Sequence, residues 1–222
     1  MGRVGSVSVR KALHQKGVMA HHVHHLFCSN GEPGFGGPRW DELSTNVLDL
    51  TKTIKIITLI RDPVYRSLSS WLIQKKVPEM ESWSLEQARQ IFLREQRLKY
   101  TLSWFDKELS VLLGLDSLAL LRSKPLKHKK HYRFVRDQYD VLVLRTSHLD
   151  KKAPVLSDFV GRNIEMVRHN VSANRPGFAD QYSRLVEGIS FSEELVKEVY
   201  SSKLVKAAFT DHEINEMESN WI

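Results

Sequence analysis

The sequence predicts an α/β fold with a central parallel sheet and a helical C-terminal part. Two apolar runs rich in β-branched residues, Ile54–Ile60 and Tyr139–Arg145, predict buried strands. The first run is followed at once by Asp62 and Pro63, and proline suits the first position of a helix. A strand that leads directly into a helix is typical of parallel strands joined by helical crossovers.

Shorter patterns predict the remaining elements of the N-terminal part. Val9 and Leu13 have the spacing of one helix face, and the apolar run Val18–Phe27 reads as a strand. A helix is predicted over Asp41–Lys52, while the glycine- and proline-rich segment Gly31–Pro38 predicts an irregular loop. The pattern therefore alternates strands and helices up to the strand at residue 54.

The second half of the sequence reads mostly as helix. A long helical stretch, Ser84–Leu113, begins with a capping box that Ser84 forms with Gln87, and Gly114 marks its end. Beyond about residue 150 the pattern is helical to the end of the chain, with Thr210 as a further N-cap.

Composition limits the class of protein. The chain has 222 residues, with 33 Lys and Arg against 26 Asp and Glu, and its formal charge of +7 favours anionic partners. A single cysteine, Cys28, excludes an internal disulfide and a zinc site built on several thiolates. No signal-peptide pattern and no apolar run of about 20 residues occur, so a cytoplasmic location without a membrane span is predicted.

The first candidate site is a short N-terminal segment that leads into a helix. Its glycine allows close approach of a ligand to the backbone, its serines can donate hydrogen bonds, and its arginine adds a planar cation. Backbone N–H groups at a helix start also attract anions. The segment comprises Arg3, Val4, Gly5, Ser6, Val7 and Ser8. An ordinary serine cap on a flexible tail is the alternative interpretation.

The second candidate site follows the strand at residue 54. Arg61 lies where this strand ends, and Ser69 comes eight residues later, about two helical turns on, so both side chains can face the same side. Such a pair could hold one phosphate group at the carboxyl end of a strand. Alternatively, Arg61 pairs with a neighbouring acid and Ser69 lies on a solvated helix face.

Taken together, the two segments resemble the sulfotransferase superfamily, which uses 3′-phosphoadenosine 5′-phosphosulfate (PAPS). A narrower resemblance, to sulfotransferase-like bacterial capsular polysaccharide synthesis proteins, covers most of the chain. It is carried by Val4–Ser8, His22–His24, Ile57–Pro63, Trp104–Glu108, Gly114–Asp116, Tyr200–Lys203, Phe209–Ile214 and Trp221. The resemblance implies a P-loop-like three-layer fold, in which the first strand would lie upstream of residue 1.

The same resemblance implies a single domain over residues 1–222 and a role for each candidate segment. Residues 1–150 would form the nucleotide-binding α/β core and residues 151–222 a helical region. Residues 3–8 would bind the 5′-phosphosulfate group of PAPS, with Arg3 also acting in catalysis. Arg61 and Ser69 would bind its 3′-phosphate. PAPS would be the co-substrate, and the scheme requires no metal.

A cluster of histidines offers a general base for sulfuryl transfer. A histidine near neutral pH can take the proton of an acceptor hydroxyl, and in the superfamily the base often follows the second strand. His24 is the first choice and His22 the second; a structural histidine in the sheet is the alternative. A metal site built on His21, His22, His24 and His25 is not favoured, because no matching cluster of further ligands is recognisable.

The sequence therefore predicts a PAPS-dependent sulfotransferase whose hydroxyl acceptor is a carbohydrate or capsular polysaccharide. A non-catalytic module that binds nucleotide or glycan in capsule synthesis remains an alternative. Phosphoryl transfer is disfavoured because the Walker A lysine is missing and Asp62 is the only candidate ligand for magnesium. No nucleic-acid partner is expected, since no binding motif is present. The acid-free stretch Arg122–Arg136 is either a solvated loop or an attractor of anions.

Overall fold

A computed structural model describes residues 5–20, 53–95, 97–122, 126–147, 149–166 and 177–222. These residues group into two compact units, each formed from two stretches of chain. The first unit contains the described residues up to Ile60 and those between Phe105 and His169, and the second contains those between Arg61 and Trp104 and from Asn170 onward. The predicted single domain with a division at residue 150 stays a prediction.

The first unit contains a small sheet with short helices around it. Its strands are β1 (Ile54–Ile60), β2 (His131–Arg136) and β3 (Tyr139–Arg145). Its helices are α1 (Ser6–Gln15), a π-helical turn (Phe105–Leu109), α6 (Ser110–Leu113), α7 (Ser117–Arg122), α8 (Leu126–Lys129), a 3₁₀ turn (Leu149–Lys152) and α9 (Ala153–Val160).

The predicted P-loop-like three-layer fold with a central parallel sheet is wrong. The described residues form one mixed sheet in the order β1–β3–β2, in which β1 runs parallel and β2 antiparallel to β3. The sequence predicts no strand in the stretch that contains β2, which reads as a solvated loop or an attractor of anions, because charged residues mask the strand pattern. Two residues, Asp137 and Gln138, join β2 to β3, and a connection this short permits only antiparallel pairing.

One hydrophobic core holds α1 and α9 against the sheet. The buried core residues of α1 and the sheet are Val9, Ala12, Leu13, Leu59, Leu142 and Leu144. Leu156, Phe159 and Ile164 complete this core from α9 and the residues after it. Five consecutive residues of β3 from Val141 are buried, as the apolar run predicted for a strand covered on both faces.

The described residues of the second unit form helices and the turns between them. It contains α2 (Pro63–Leu72), α3 (Val77–Glu81), α4 (Leu85–Arg94), α5 (Arg97–Trp104), α10 (Phe178–Gly188), α11 (Glu193–Tyr200), α12 (Lys203–Ala208) and α13 (Asp211–Ser219). Helix α2 is the centre of this unit and packs against α5 and α10. Its Trp71 is fully buried and stacks on Trp83 at 5.4 Å between ring centroids.

Several predicted helix boundaries are confirmed. Asp62 caps α2 by accepting a hydrogen bond from the backbone N–H of Tyr65, and Pro63 occupies the first helical turn. Ser84 and Gln87 form the predicted capping box of α4, and Thr210 caps α13. These boundaries were predictable because each depends on residues within one helical turn.

Candidate functional site

In the first unit, the N-terminal candidate segment lies at the start of α1. Gly5 is the N-cap residue and has a φ of 90°, a conformation that suits glycine. Its carbonyl accepts the first helical hydrogen bond, from the N–H of Val9 at 3.0 Å. A Cβ atom at Gly5 would lie 2.5 Å from Cδ2 of Leu149. The residue is therefore needed both for the turn into the helix and for the close contact.

Two features make this helix start suitable for an anion. The first turn of α1 contains no acidic residue that would neutralise its positive end. Within the described residues, the buried hydroxyl of Ser6 has no hydrogen-bond partner. A buried hydroxyl without a partner is uncommon and indicates a missing acceptor. The N–H groups of Ser6, Val7 and Ser8 belong to the same first turn.

Some of the predicted site residues lie outside the described residues. Arg3 and Val4 precede the first described position, and His22 and His24 fall within the undescribed range 21–52. The base and the arginine of the predicted mechanism therefore stay predictions.

In the second unit, the structure brings Arg61 and Ser69 to one cluster of tyrosines. The Arg61 guanidinium lies 3.9 Å from the centroid of the Tyr65 ring. Ser69 is 6% exposed, and its side chain exchanges a hydrogen bond with the hydroxyl of Tyr182. Tyr182 also forms a hydrogen bond with Tyr65 and senses the charge of Arg61. Two tyrosines thus connect Arg61 with Ser69. Arg61 contacts the ring of Tyr65, and Ser69 forms a hydrogen bond with Tyr182.

The Tyr182 hydroxyl is held in its protonated form. Burial raises the pKa of Tyr182 to about 12, although the hydrogen bond from Ser69 and the charge of Arg61 act in the opposite direction. A neutral phenol at physiological pH can donate a hydrogen bond to a ligand oxygen. Because Ser69 donates its proton to Tyr182, the three residues together offer one cation, from Arg61, and one hydroxyl donor.

Asp62 supports this cluster through hydrogen bonds to both of its carboxylate oxygens. Its Oδ1 accepts a hydrogen bond from the Tyr65 N–H at 2.8 Å. Its Oδ2 accepts from the Tyr200 hydroxyl at 2.7 Å and from Nε1 of Trp221 at 3.5 Å. Burial raises the pKa of Asp62, and these hydrogen bonds oppose the rise. The carboxylate therefore holds the start of α2 in place, which counts against the magnesium role.

The same helix carries a buried arginine, Arg66, that no sequence pattern marks. Arg66 is 7% exposed, and its Nη1 donates to Oγ1 of Thr101. The same Thr101 oxygen lies 2.7 Å from Oγ of Ser67. Burial lowers the pKa of Arg66 to about 10. These contacts join α2 to α5 and fix the helix on which Arg61 and Ser69 depend.

The tyrosines are the functional candidates that sequence reasoning missed. Tyr65 lies between the two predicted residues, but Tyr182 comes from α10, far along the chain. The hydrogen bond between Tyr200 and Asp62 joins residues 138 positions apart. No local pattern marks such pairs, because only the packing of α10 and α11 brings them to α2.

The described residues also bear on metal binding and on membrane spanning. In the parts of the chain that the structure describes, no group of three or more His, Cys, Asp or Glu side chains is arranged to hold a metal ion. Among the same residues, no helix combines the length and apolar character needed to cross a bilayer.

No protein-family model, curated protein or solved structure matches this chain. The resemblance to sulfotransferases therefore rests on the residues that carry it. Gly5 and Ser6 belong to the first unit, and Arg61 and Ser69 belong to the second. Each pair is therefore described within its own unit.

Proposed function

We propose that this protein binds PAPS and transfers its sulfuryl group to a hydroxyl of a carbohydrate, such as a capsular polysaccharide. The observation that carries the proposal is the meeting of Arg61 and Ser69 at Tyr182. Their eight-residue spacing in the sequence also predicts a shared phosphate site. The cytoplasmic location, with its reducing conditions and PAPS supply, belongs to the same proposal.

The 3′-phosphate of PAPS would bind at the tyrosine cluster of the second unit. The guanidinium of Arg61 is oriented by its contact with the Tyr65 ring, and among the described residues it makes no salt bridge. An arginine held flat in this way presents its N–H groups edge-on to a phosphate. The Tyr182 hydroxyl, which Ser69 orients by a hydrogen bond, would add one O–H donor.

The phosphosulfate group would bind at the start of α1. The N–H groups that follow Gly5 and the buried hydroxyl of Ser6 would stabilise the transferring group as charge develops. In the transfer, the acceptor oxygen bonds to sulfur while the bond between sulfur and the phosphate oxygen breaks. His24, or else His22, would take the hydroxyl proton, and Arg3 would stabilise the departing phosphate.

Calorimetry with 3′-phosphoadenosine 5′-phosphate (PAP), the product nucleotide, tests the proposal. We expect a one-to-one complex for the wild type and binding about 10- to 100-fold weaker for Arg61→Ala, because a hydrogen bond to a charged group contributes about 1.5–3 kcal/mol. Arg94→Ala is the matched control, since Arg94 is an exposed arginine of the same unit. It should bind PAP as the wild type does.

Absence of PAP binding by the wild-type chain would overturn the proposal. Turnover of PAPS with a carbohydrate acceptor would support catalysis. Nucleotide binding without turnover across an acceptor panel would instead favour the non-catalytic module, in which the same site serves recognition alone.

A further inference from the structure

In the second unit, a tryptophan that follows α13 packs against the start of α2. Trp221 is 3% exposed. Its ring meets the ring of Tyr65 edge to face, with 6.2 Å between the centroids and 66° between the planes. Its Nε1 donates to Oδ2 of Asp62 at 3.5 Å. Trp221 therefore contacts both the N-cap residue and the first turn of α2, next to Arg61 in the sequence.

Backbone and ring contacts hold Trp221 in this position. Its carbonyl accepts a hydrogen bond from the N–H of Phe191 at 2.7 Å, and its N–H donates to the carbonyl of Glu218 at 3.0 Å. The Phe191 ring lies 6.2 Å from the Trp221 ring and 5.7 Å from the ring of Phe92. Phe92 is 1% exposed and belongs to the aromatic core around Trp71. The indole is thus a fixed support built on this core.

Tyr65 is the residue through which this support reaches Arg61. The Arg61 guanidinium lies 3.9 Å from the centroid of the Tyr65 ring, so the direction of that ring face decides where the cation rests. The hydrogen bond between Tyr65 and Tyr182 acts at the hydroxyl oxygen, which lies on the axis about which the Tyr65 ring turns, so it does not fix this rotation. The edge-to-face contacts with Trp221 and with Tyr182, the latter at 6.4 Å, restrict the rotation. Trp221 therefore helps to hold the ring face on which Arg61 lies.

The ring of Trp221, rather than its N–H group, carries this effect. Oδ2 of Asp62 also accepts a hydrogen bond from the Tyr200 hydroxyl at 2.7 Å, which is shorter than the 3.5 Å to the indole nitrogen. Asp62 would keep this hydrogen bond, and the one from the Tyr65 N–H, if the indole N–H were lost. Trp221→Phe should therefore still support Tyr65, whereas Trp221→Leu should not.

Trp83 offers a comparison from the same unit. Its ring stacks on Trp71 at 5.4 Å, and the Lys75 ammonium lies 6.0 Å from its centroid. Trp71 lies in the last turn of α2, whereas Tyr65 lies in the first turn. Loss of either Trp83 or Trp221 should lower stability, because each ring packs on α2. Only the loss of Trp221 should also move the guanidinium of Arg61.

We propose that Trp221 is a positioning residue for the 3′-phosphate site: its ring holds Tyr65 in the orientation that supports the Arg61 guanidinium. This role rests on the proposed function, since it concerns the same phosphate site. Trp221 contacts no ligand in this scheme and acts on affinity through Tyr65 and Arg61. The residue that follows α13 is thereby coupled to nucleotide binding at the start of α2.

NMR of the full chain without ligand tests the position of Arg61. The ring current of Tyr65 should shift the Nε–H proton signal of Arg61 upfield, and Arg61→Ala assigns that signal by removing it. We expect Trp221→Phe and Trp83→Leu to keep this shift, and Trp221→Leu to lose most of it. Trp221→Met, whose unbranched side chain fills space without a ring, should act like Trp221→Leu and replaces it if that variant fails to fold.

Calorimetry with PAP gives the second measurement. Trp221→Leu should bind PAP about three- to tenfold more weakly than the wild type, whereas Trp221→Phe and Trp83→Leu should stay within about twofold. In the Arg61→Ala background, Trp221→Leu should cause no further loss of affinity, because it acts through Arg61. Thermal unfolding of every variant separates this loss of affinity from a loss of stability.

The two measurements distinguish this role from the proposed function. Absence of PAP binding by the wild type would overturn the proposed function, and the Arg61 signal would still decide whether Trp221 positions the guanidinium. An unchanged Arg61 signal in Trp221→Leu, or equal losses of PAP affinity in Trp221→Leu and Trp83→Leu, would overturn the positioning role.

Discussion

Gly5 shows how one residue can determine the geometry of a candidate site. Its φ of 90° turns the chain into α1, and the side chain of Leu149 occupies the space that a Cβ atom would need. The sequence predicts a use for a glycine at this point, where backbone N–H groups would approach an anion. The contact with Leu149 could not be predicted, because it joins distant parts of the chain.

We expect Gly5→Ala to destabilise the chain more than Gly161→Ala. Both alanines would take a positive φ, at a cost of roughly 1–2 kcal/mol each. Only at Gly5 must Leu149 also move away from the core on which it packs, which adds about 1 kcal/mol or more. Urea denaturation of both variants measures the difference. Equal losses of stability would show that the Leu149 contact carries no strain.

At the scale of single helices and strands, the confirmed predictions depend on residues that are close together in the sequence. The strands Ile54–Ile60 and Tyr139–Arg145 have the predicted bounds, because β-branched and apolar runs favour buried strands. The strand His131–Arg136 was missed, because its side chains are half-buried or exposed and it lies at the edge of the sheet. Charged edge strands are common because they prevent pairing with other chains.

The helix caps allow a matched test at this scale. Thr210 forms a capping box with Glu213 at the start of α13, whereas Ser202 occupies the N-cap of α12 without a side-chain hydrogen bond. Thr210→Ala should therefore lower the free energy of unfolding by about 1 kcal/mol. Ser202→Ala should have little effect, or stabilise slightly, since the Ser202 hydroxyl is buried without a described partner. A loss in Ser202→Ala that matched Thr210→Ala would contradict this reading of the caps.

At the scale of the whole molecule, ion pairs make stability depend on pH. Oε1 of Glu95 lies 2.7 Å from Nζ of Lys75, and its Oε2 lies 3.1 Å from Nη2 of Arg97. Burial opposes ionisation of Glu95, but the hydrogen bonds from these cations outweigh it and lower its pKa. A lowered pKa contributes stability that is present above the unfolded value of about 4.3 and is lost as pH falls through the folded value.

We therefore expect Glu95→Gln to flatten the fall in unfolding free energy below about pH 5. The difference between wild type and variant should be about 1 kcal/mol or less at pH 7, because the carboxylate is partly exposed. Glu81→Gln is the control, since Glu81 is exposed and makes no ion pair with the described residues. Urea denaturation at several pH values provides the measurement, and parallel profiles for wild type and Glu95→Gln would refute the assignment.

The sequence by itself determined the local features of this protein: two strands, several helix caps, the glycine turn into α1, and the Arg61-to-Ser69 spacing. Each depends on residues within about two turns of one another, so short-range sterics and hydrogen bonding suffice. Only the tertiary structure decided the mixed sheet, the meeting of Ser69 with Tyr182, and the contact of Trp221 with Tyr65. These features depend on which distant segments pack together, and that choice is made by the burial of apolar surface across the whole chain.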